Sequence, residues 1–168
     1  DAGNQMDNLA ASVNARYLEL LGYPSEIPEN GYHGHDIIET AQAIIDQDGD
    51  AYLSMAEPER LAYFKDRAYA EKLKALRQDL AAFNVHYDNW FSERTLHPDA
   101  IRAACDELKK RGKAYEKDGA LSLKSTDYGD DKDRVIIRDN GVPTYLAADI
   151  AYHKNKYQRG FRKMINIW

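Results

Sequence analysis

Cysteine is nearly missing from this 168-residue chain, with Cys105 standing alone. An internal disulfide is therefore excluded and a cysteine-based zinc site has no ligand set; the usage suits a reducing compartment, so a cytoplasmic location is expected. Long apolar runs are lacking too. None approaches the roughly 20 residues that a membrane-spanning helix needs. The opening residues, Asp1-Ala2-Gly3-Asn4-Gln5, show neither the basic segment nor the apolar stretch of a secretory signal. No membrane partner is expected. An initiator methionine is absent, and the natural start is expected to lie elsewhere. Positive charge is in deficit: 23 basic against 28 acidic residues leave a net charge of -5. That balance argues against a free-standing basic nucleic-acid binder, whose affinity would come mainly from neutralising phosphates. There is no Gly-rich phosphate loop, no internal repeat and no low-complexity tract.

What is present suits a folded protein, since 43% of the residues are hydrophobic and can build a core. Met6, Leu9, Val13, Tyr17, Leu20 and Leu21 recur at helical spacing across residues 4–21, and Gly22 with Pro24 ends that helix. A second helix follows Asp36, with Ile37, Ile38, Ala41, Ile44 and Ile45 to one side, and stops at the acidic turn 46–50. Ser54-Met55-Ala56-Glu57 has the form of a capping box. Behind it, Leu61, Phe64, Ala68, Leu73, Leu76, Leu80 and Phe83 predict one long amphipathic helix over 54–83.

The texture then changes. Residues 85–91 are aromatic-rich and strand-like, and 98–111 form a helix with Ile101, Ala104, Cys105 and Leu108 inward. Asp118-Gly119 between 113–117 and 120–125 is a two-residue hairpin signal. Residues 134–138 form a third strand, Thr144 caps a helix to about Arg159, and 164–168 have the look of a buried strand. The expected fold class is α/β, locally α+β: amphipathic helices with a small antiparallel sheet, the long helix lying over that sheet.

Several clusters invite chemistry. On the helix after Thr144, Tyr145, Asp149 and either Tyr152 or His153 share a face at steps of four, three and four. A carboxylate with a phenol one turn away suits a guanidinium, which offers charge-assisted and bidentate bonds. The plain alternative is a surface helix whose tyrosines are half-buried. His33-Gly34-His35 lacks further metal ligands and reads as loop packing, with Asp36 as a cap. The turn 46–50 places Gly49 fourth from Asp46, whereas a calcium loop needs its glycine sixth. Residues 127–133 could hold a cation or form a solvated turn into a strand. Cys105 lies on an apolar helix face with no base and reads as core. Two basic strips stand out: Lys109, Lys110, Arg111 and Lys113 at a helix end, and Lys154, Lys156, Arg159, Arg162 and Lys163 near the C-terminus. Cations at a helix C-terminus offset its dipole; contact with RNA is the other reading.

These segments resemble arginyl-tRNA synthetases. The resemblance rests on Asp1 to Gln5, Gly31-Tyr32-His33-Gly34 with Asp36-Ile37-Ile38, Ser125-Thr126 with Gly129-Asp130-Asp131-Lys132-Asp133-Arg134-Val135, and Thr144-Tyr145-Leu146 through Asp149-Ile150-Ala151-Tyr152-His153. Lys156, Arg159-Gly160-Phe161 and Ile165-Asn166-Ile167-Trp168 follow in register, so the whole chain is covered in order. The resemblance implies a class I synthetase, with a Rossmann-type catalytic domain interrupted by a connective insertion. It implies residues 1–22 as the end of the first catalytic half, 23–140 as the insertion and 141–168 as the start of the second half. It implies an enzyme that activates L-arginine with ATP and charges arginine tRNA, acting as a monomer. Tyr145 and Asp149 would contact the substrate arginine, and Glu93 would approach its polar groups. The family's His-x-Gly-His and Lys-Met-Ser-Lys-type signatures for ATP are absent; Tyr32-His33-Gly34-His35 and Lys163-Met164-Ile165-Asn166 depart from them. No structural metal is expected. The chain is thus expected to be an internal piece, inactive alone and without catalytic residues. The alternative is a non-catalytic module that binds the tRNA acceptor end.

Overall fold

A computed structural model describes residues 1–167. The chain divides into two compact units, Asp1–Trp90 and Phe91–Trp168.

The first unit is three helices: α1 (Asn4–Leu20), α2 (His35–Asp48) and α3 (Glu57–Ala82), with a 3-10 turn at Ala51–Ser54 before α3. Each helix has one apolar stripe, and the stripes meet in a core of Val13, Tyr17, Ile37, Ala41, Ile44, Phe64 and Ala68. Aromatic rings fill its centre. Phe64 meets Tyr17 edge-on at 5.0 Å and Tyr52 at 5.5 Å, while Tyr63 stacks on Tyr52 at 4.5 Å. The buried Tyr17 hydroxyl finds a partner by donating to the Gly49 carbonyl at 2.9 Å. Burial is also what raises the Tyr17 pKa. The loop before α2 is tied down by Ser12, whose Oγ accepts the Tyr32 amide at 2.8 Å. Gly31 must be glycine there, because a Cβ would come within 2.5 Å of the Ile27 side chain and 2.8 Å of Ser12 Oγ.

The α3 start differs from the capping-box reading. Ser54 belongs to the preceding 3-10 turn and its hydroxyl donates to the Ala51 carbonyl; Ala56 is the N-cap, with Pro58 in the first turn. Pro58 brings no amide needing a cap and its ring presets the helical φ, so the helix begins without a side-chain cap.

In the second unit, a 3-10 turn (Glu93–Leu96) and α4 (Asp99–Lys110) precede the hairpin β1 (Ala114–Lys117) and β2 (Ala120–Leu123). A further 3-10 turn (Ser125–Tyr128), β3 (Arg134–Ile137) and α5 (Tyr145–Gln158) complete it. The sheet is antiparallel in the order β1-β2-β3, with Tyr115 opposite Ser122 and Ser122 opposite Val135. Its turn residues Asp118 and Gly119 both have positive φ, 52° and 80°, as a type I′ turn demands. The core is Leu96, Ile101, Ala104, Cys105, Ala114, Leu121, Ile136, Ala147, Ala148 and Ala151. The inward side of α5 is a row of alanines, which lets its backbone come close to α4 and β3.

The long helix belongs to the first unit, where α3 packs on α1, and the sheet to the second, where it packs with α4 and α5. Two expectations need correction. Residues 85–91 form no strand; Trp90 instead meets Tyr87 edge-on at 5.3 Å and lies under the Arg77 guanidinium at 4.8 Å. Tyr87 and Trp90 find each other there, and Phe91 stacks on Tyr152, in place of a neighbouring strand. Residues 164–167 also join no strand among the described residues, with Ile165 and Ile167 92% and 94% exposed; Trp168 lies outside the described residues. Alternating isoleucines specify a strand's face but cannot supply the neighbour whose backbone it needs.

Candidate arginine-reading site

The start of α5 is bolted to β3. The Thr144 amide donates to the Ile136 carbonyl at 2.9 Å, and its hydroxyl reaches the Val135 carbonyl at 3.0 Å. Thr144 holds the N-cap position as expected, yet its side chain serves the strand rather than the helix. Tyr145 follows as the first helical residue, 80% exposed. One turn on, Asp149 is half-buried, and its carboxylate has neither ion pair nor hydrogen bond among the described residues.

The two candidates for the third member of this face part company. Tyr152 stacks its ring on Phe91 at 4.5 Å, with the Lys156 ammonium 4.2 Å from the Tyr152 ring. His153 turns back: its Nδ1–H donates to the Asp149 main-chain carbonyl at 2.8 Å, and Nε2 lies 3.2 Å from Asn166 Oδ1. Glu93 sits on the turn that packs against α5, its carboxylate 3.1 Å from His97 Nε2. The fold therefore puts Glu93 on an element beside the helix of Tyr145 and Asp149. Phe91 and Asn166 were invisible as site neighbours in the sequence. Phe91 lay inside an expected strand, and no local pattern announces a stacking partner 61 residues away.

A groove of about 690 Å³ runs between α4 and α5, floored by Ala104, Leu108, Ile150 and Met164. Its rim carboxylate, Glu107, is already satisfied. Lys154 bonds it at 2.5 Å and Arg111 at 2.5 Å, and chiefly the Lys154 bond keeps its pKa low.

The other clusters resolve into structure. In the acidic loop before β3, Asp130 takes a bidentate bond from Arg134 at 2.7 and 2.6 Å, and Asp131 bonds the same guanidinium. Asp133 accepts from the Thr126 amide, the Thr126 hydroxyl and the Tyr115 hydroxyl. Asp130 and Asp133 are both held below the ordinary carboxylate range, the first mainly by Arg134 and the second mainly by Thr126. With its carboxylates spent internally, this loop is a clasp at the entry to β3. Asp36 is bonded by Lys72 at 2.7 Å, and His35 lies exposed 3.7 Å from Glu39. Among the described residues no three His, Cys, Asp or Glu side chains gather as a metal site would require. Cys105 is buried, and burial pushes its thiol pKa up, which is the setting of a core residue rather than a nucleophile.

Comparison with known proteins fits this geometry into a class. Residues 50–167 match the family model described as "tRNA synthetases class I (R), catalytic domain". The chain is thus a member of the class I tRNA synthetases. Within that class it belongs to the family marked R, whose catalytic-domain model spans most of it. An arginine--tRNA ligase of Carboxydothermus hydrogenoformans is 53% identical over the whole chain, and one of Moorella thermoacetica is 51% identical. A crystal structure described as an arginyl-tRNA synthetase from Campylobacter jejuni superimposes with a TM-score of 0.87 at 37% identity, covering all of this chain and 37% of that one. The chain spans 30% of the length of those two curated relatives.

Proposed function

We propose that this chain is the arginine-reading part of an arginine–tRNA ligase, which activates L-arginine with ATP and transfers it to arginine tRNA. Asp149 carries the reading. A half-buried carboxylate with no internal partner is costly to leave empty-handed, and a guanidinium is the cation whose planar donors best satisfy it. The exposed Tyr145 phenol, one turn earlier, orients that group, and Glu93 on the adjoining turn approaches the polar end of the substrate. In this reading residues 1–22 end the first catalytic half, 23–140 are the connective insertion and 141–168 begin the second half. ATP is a co-substrate whose signature motifs are absent from the 168 residues, so adenylation is assigned to other parts of the ligase.

The experiment is an NMR titration of the chain with L-arginine and with L-citrulline, its neutral near-isostere. Arginine is expected to shift the Tyr145 and Asp149 resonances, and citrulline is not. Asp149→Asn should weaken arginine binding by about 1.5–3 kcal/mol, the worth of a hydrogen bond to a charged group. Equal binding of citrulline, or an unchanged Asp149→Asn affinity, would remove Asp149 from the site. ATP–pyrophosphate exchange with arginine on this chain alone should give no turnover.

A further inference from the structure

Asn-Gly occurs twice in the chain, at Asn30-Gly31 and Asn140-Gly141. The two pairs sit in turns of the same kind. The Gly31 amide donates to the Pro28 carbonyl at 2.7 Å, and the Gly141 amide donates to the Arg138 carbonyl at 2.9 Å. Both asparagines are exposed. Glycine matters here because it sets no Cβ beside its own backbone nitrogen. That nitrogen can act as a nucleophile on Cγ, the amide carbon of the asparagine before it.

Their surroundings separate them. At Gly31 an added Cβ would come within 2.5 Å of the Ile27 side chain and 2.9 Å of the Pro28 carbonyl oxygen, and the next amide, that of Tyr32, is fastened to Ser12 Oγ. The peptide plane there has no room to turn. At Gly141, where φ is 79°, nothing lies within 4 Å of such a Cβ. The Asn140 side chain is also folded back along the chain already, its Oδ1 accepting the Val142 amide at 3.1 Å. A side chain bonded to the amide two residues on forms an Asx turn, which keeps Cγ close to the Gly141 nitrogen. The same N–H polarises the Cγ–Oδ1 bond and receives the charge that grows on Oδ1 as Cγ is attacked. The Asn30 side chain has no such donor among the described residues.

We propose that Asn140 is a site of spontaneous covalent modification, converting to aspartate and isoaspartate while Asn30 is spared. The Gly141 nitrogen gives its proton to solvent base and closes a ring on Cγ of Asn140. The tetrahedral centre then expels Nδ2, which takes a proton from water and leaves as ammonia. Water opens the cyclic imide at either carbonyl. Addition at Cγ restores the ordinary main chain with an aspartate. Addition at the main-chain carbonyl carbon gives isoaspartate, whose chain runs through Cβ and Cγ. This turn joins β3 to α5: Ile137 bridges Pro143, and the Thr144 amide donates to the Ile136 carbonyl. Isoaspartate adds one carbon to the main chain inside that connection. It also sets a new carboxylate beside Asp139, whose Oδ1 accepts the Asn140 amide at 2.9 Å. Conversion therefore loosens the anchor of the helix start. Its effect on arginine rests on the proposed ligase reading; the chemistry rests on the turn alone.

The test is mass spectrometry of the 168-residue chain aged at mildly alkaline pH without arginine or ATP. Trypsin cuts after Arg138 and Lys154 release 139–154, whose only side-chain amide is Asn140, and cuts after Arg16 and Arg60 release 17–60, in which fragment ions locate Asn30. Amide-to-acid conversion is expected at Asn140 at least about tenfold faster than at Asn30, because a packed turn reacts only through local opening. Against short synthetic peptides spanning 27–33 and 138–144, Asn140 should keep its rate within about threefold and Asn30 should be slowed at least about tenfold. Chromatography separates the isoaspartate product from the aspartate one. In the isoaspartate chain the Thr144 amide should exchange with deuterium at least about threefold faster, whereas Asn140→Asp, which carries the charge without the extra carbon, should leave that exchange within about twofold. No acid at position 140, equal rates at both asparagines, or an Asn140 slowed as much as Asn30 against its peptide would overturn the proposal. Unchanged Thr144 exchange in the isoaspartate chain would overturn the loosened anchor. Because no arginine is present, such failures leave the Asp149 assignment standing, and failure of the arginine titration leaves this site standing.

Discussion

Replacing Phe64 by alanine removes the ring at the centre of the three-helix unit. The side chain is fully buried and makes edge-on contacts with Tyr17 at 5.0 Å and Tyr52 at 5.5 Å. Transfer of a buried phenyl group to water costs about 2–3 kcal/mol. The two aromatic pairs add about 0.5–1.5 kcal/mol each, since the neighbouring rings are held by their own hydrogen bonds and cannot close the gap. The expected loss is about 3–5 kcal/mol, the usual span for such a cavity. Phe83, at the other end of the same helix, is 84% exposed, and Phe83→Ala should change stability by less than about 0.5 kcal/mol. Equilibrium unfolding in urea, followed by far-ultraviolet circular dichroism, reads both. At a slope of about 1.5 kcal/mol per molar, the Phe64 change moves the midpoint of its unit down by roughly 2–3 M. Phe64→Leu, expected to cost about 1–2 kcal/mol, keeps a measurable transition if the alanine variant is unfolded outright. A loss below about 1.5 kcal/mol for Phe64→Ala, or similar losses at both phenylalanines, would refute the packing account.

Gly119→Ala forces a side chain onto a residue with φ of 80°, with the new Cβ 3.6 Å from Asp139 Cβ. Strain rather than collision dominates, so a loss of about 1–2 kcal/mol is expected, with faster amide exchange in β1 and β2 as the local reading. Stability should also fall in acid. Asp36, Asp130 and Asp133 have folded pKa values depressed by Lys72, Arg134 and Thr126, respectively. Their contribution is complete above the unfolded value of about 3.9 and disappears as pH falls through the lower folded values. The urea midpoint should therefore hold from pH 7 to about 5 and drop below about pH 4; a midpoint rising in that acid range contradicts the assignment.

Helix identity was legible wherever a strong periodic stripe ran through a segment. Val13 and Tyr17, Ile37, Ala41 and Ile44, Phe64 and Ala68, and Ile101, Ala104 and Cys105 all lie buried as their spacing indicates. The Asp118-Gly119 hairpin was equally plain, because positive φ at two successive residues is a local demand that few pairs meet. The exposed Tyr145 and half-buried Asp149 also lie one turn apart on a single helix, as their spacing requires. Illegible were the partners. Ser54 has the residue type of a cap but spends its hydroxyl one turn earlier, and in the strand-like run 85–91 Tyr87 and Trp90 meet each other while Phe91 stacks on Tyr152.

Sequence alone thus determined the helices, the hairpin and the presence of a carboxylate–phenol pair on one helix face, since each depends on residues within a few positions of one another. Tertiary structure decided which charges are spent. It closed Asp130 and Asp133 into a clasp and paired Glu107 with Lys154, but among the described residues left Asp149 and, after it, Lys156, Arg159, Arg162 and Lys163 without a counter-ion. Coulombic and hydrogen-bond pairing acts through space over a few ångströms, so no ordering of letters along the chain reveals which group remains free.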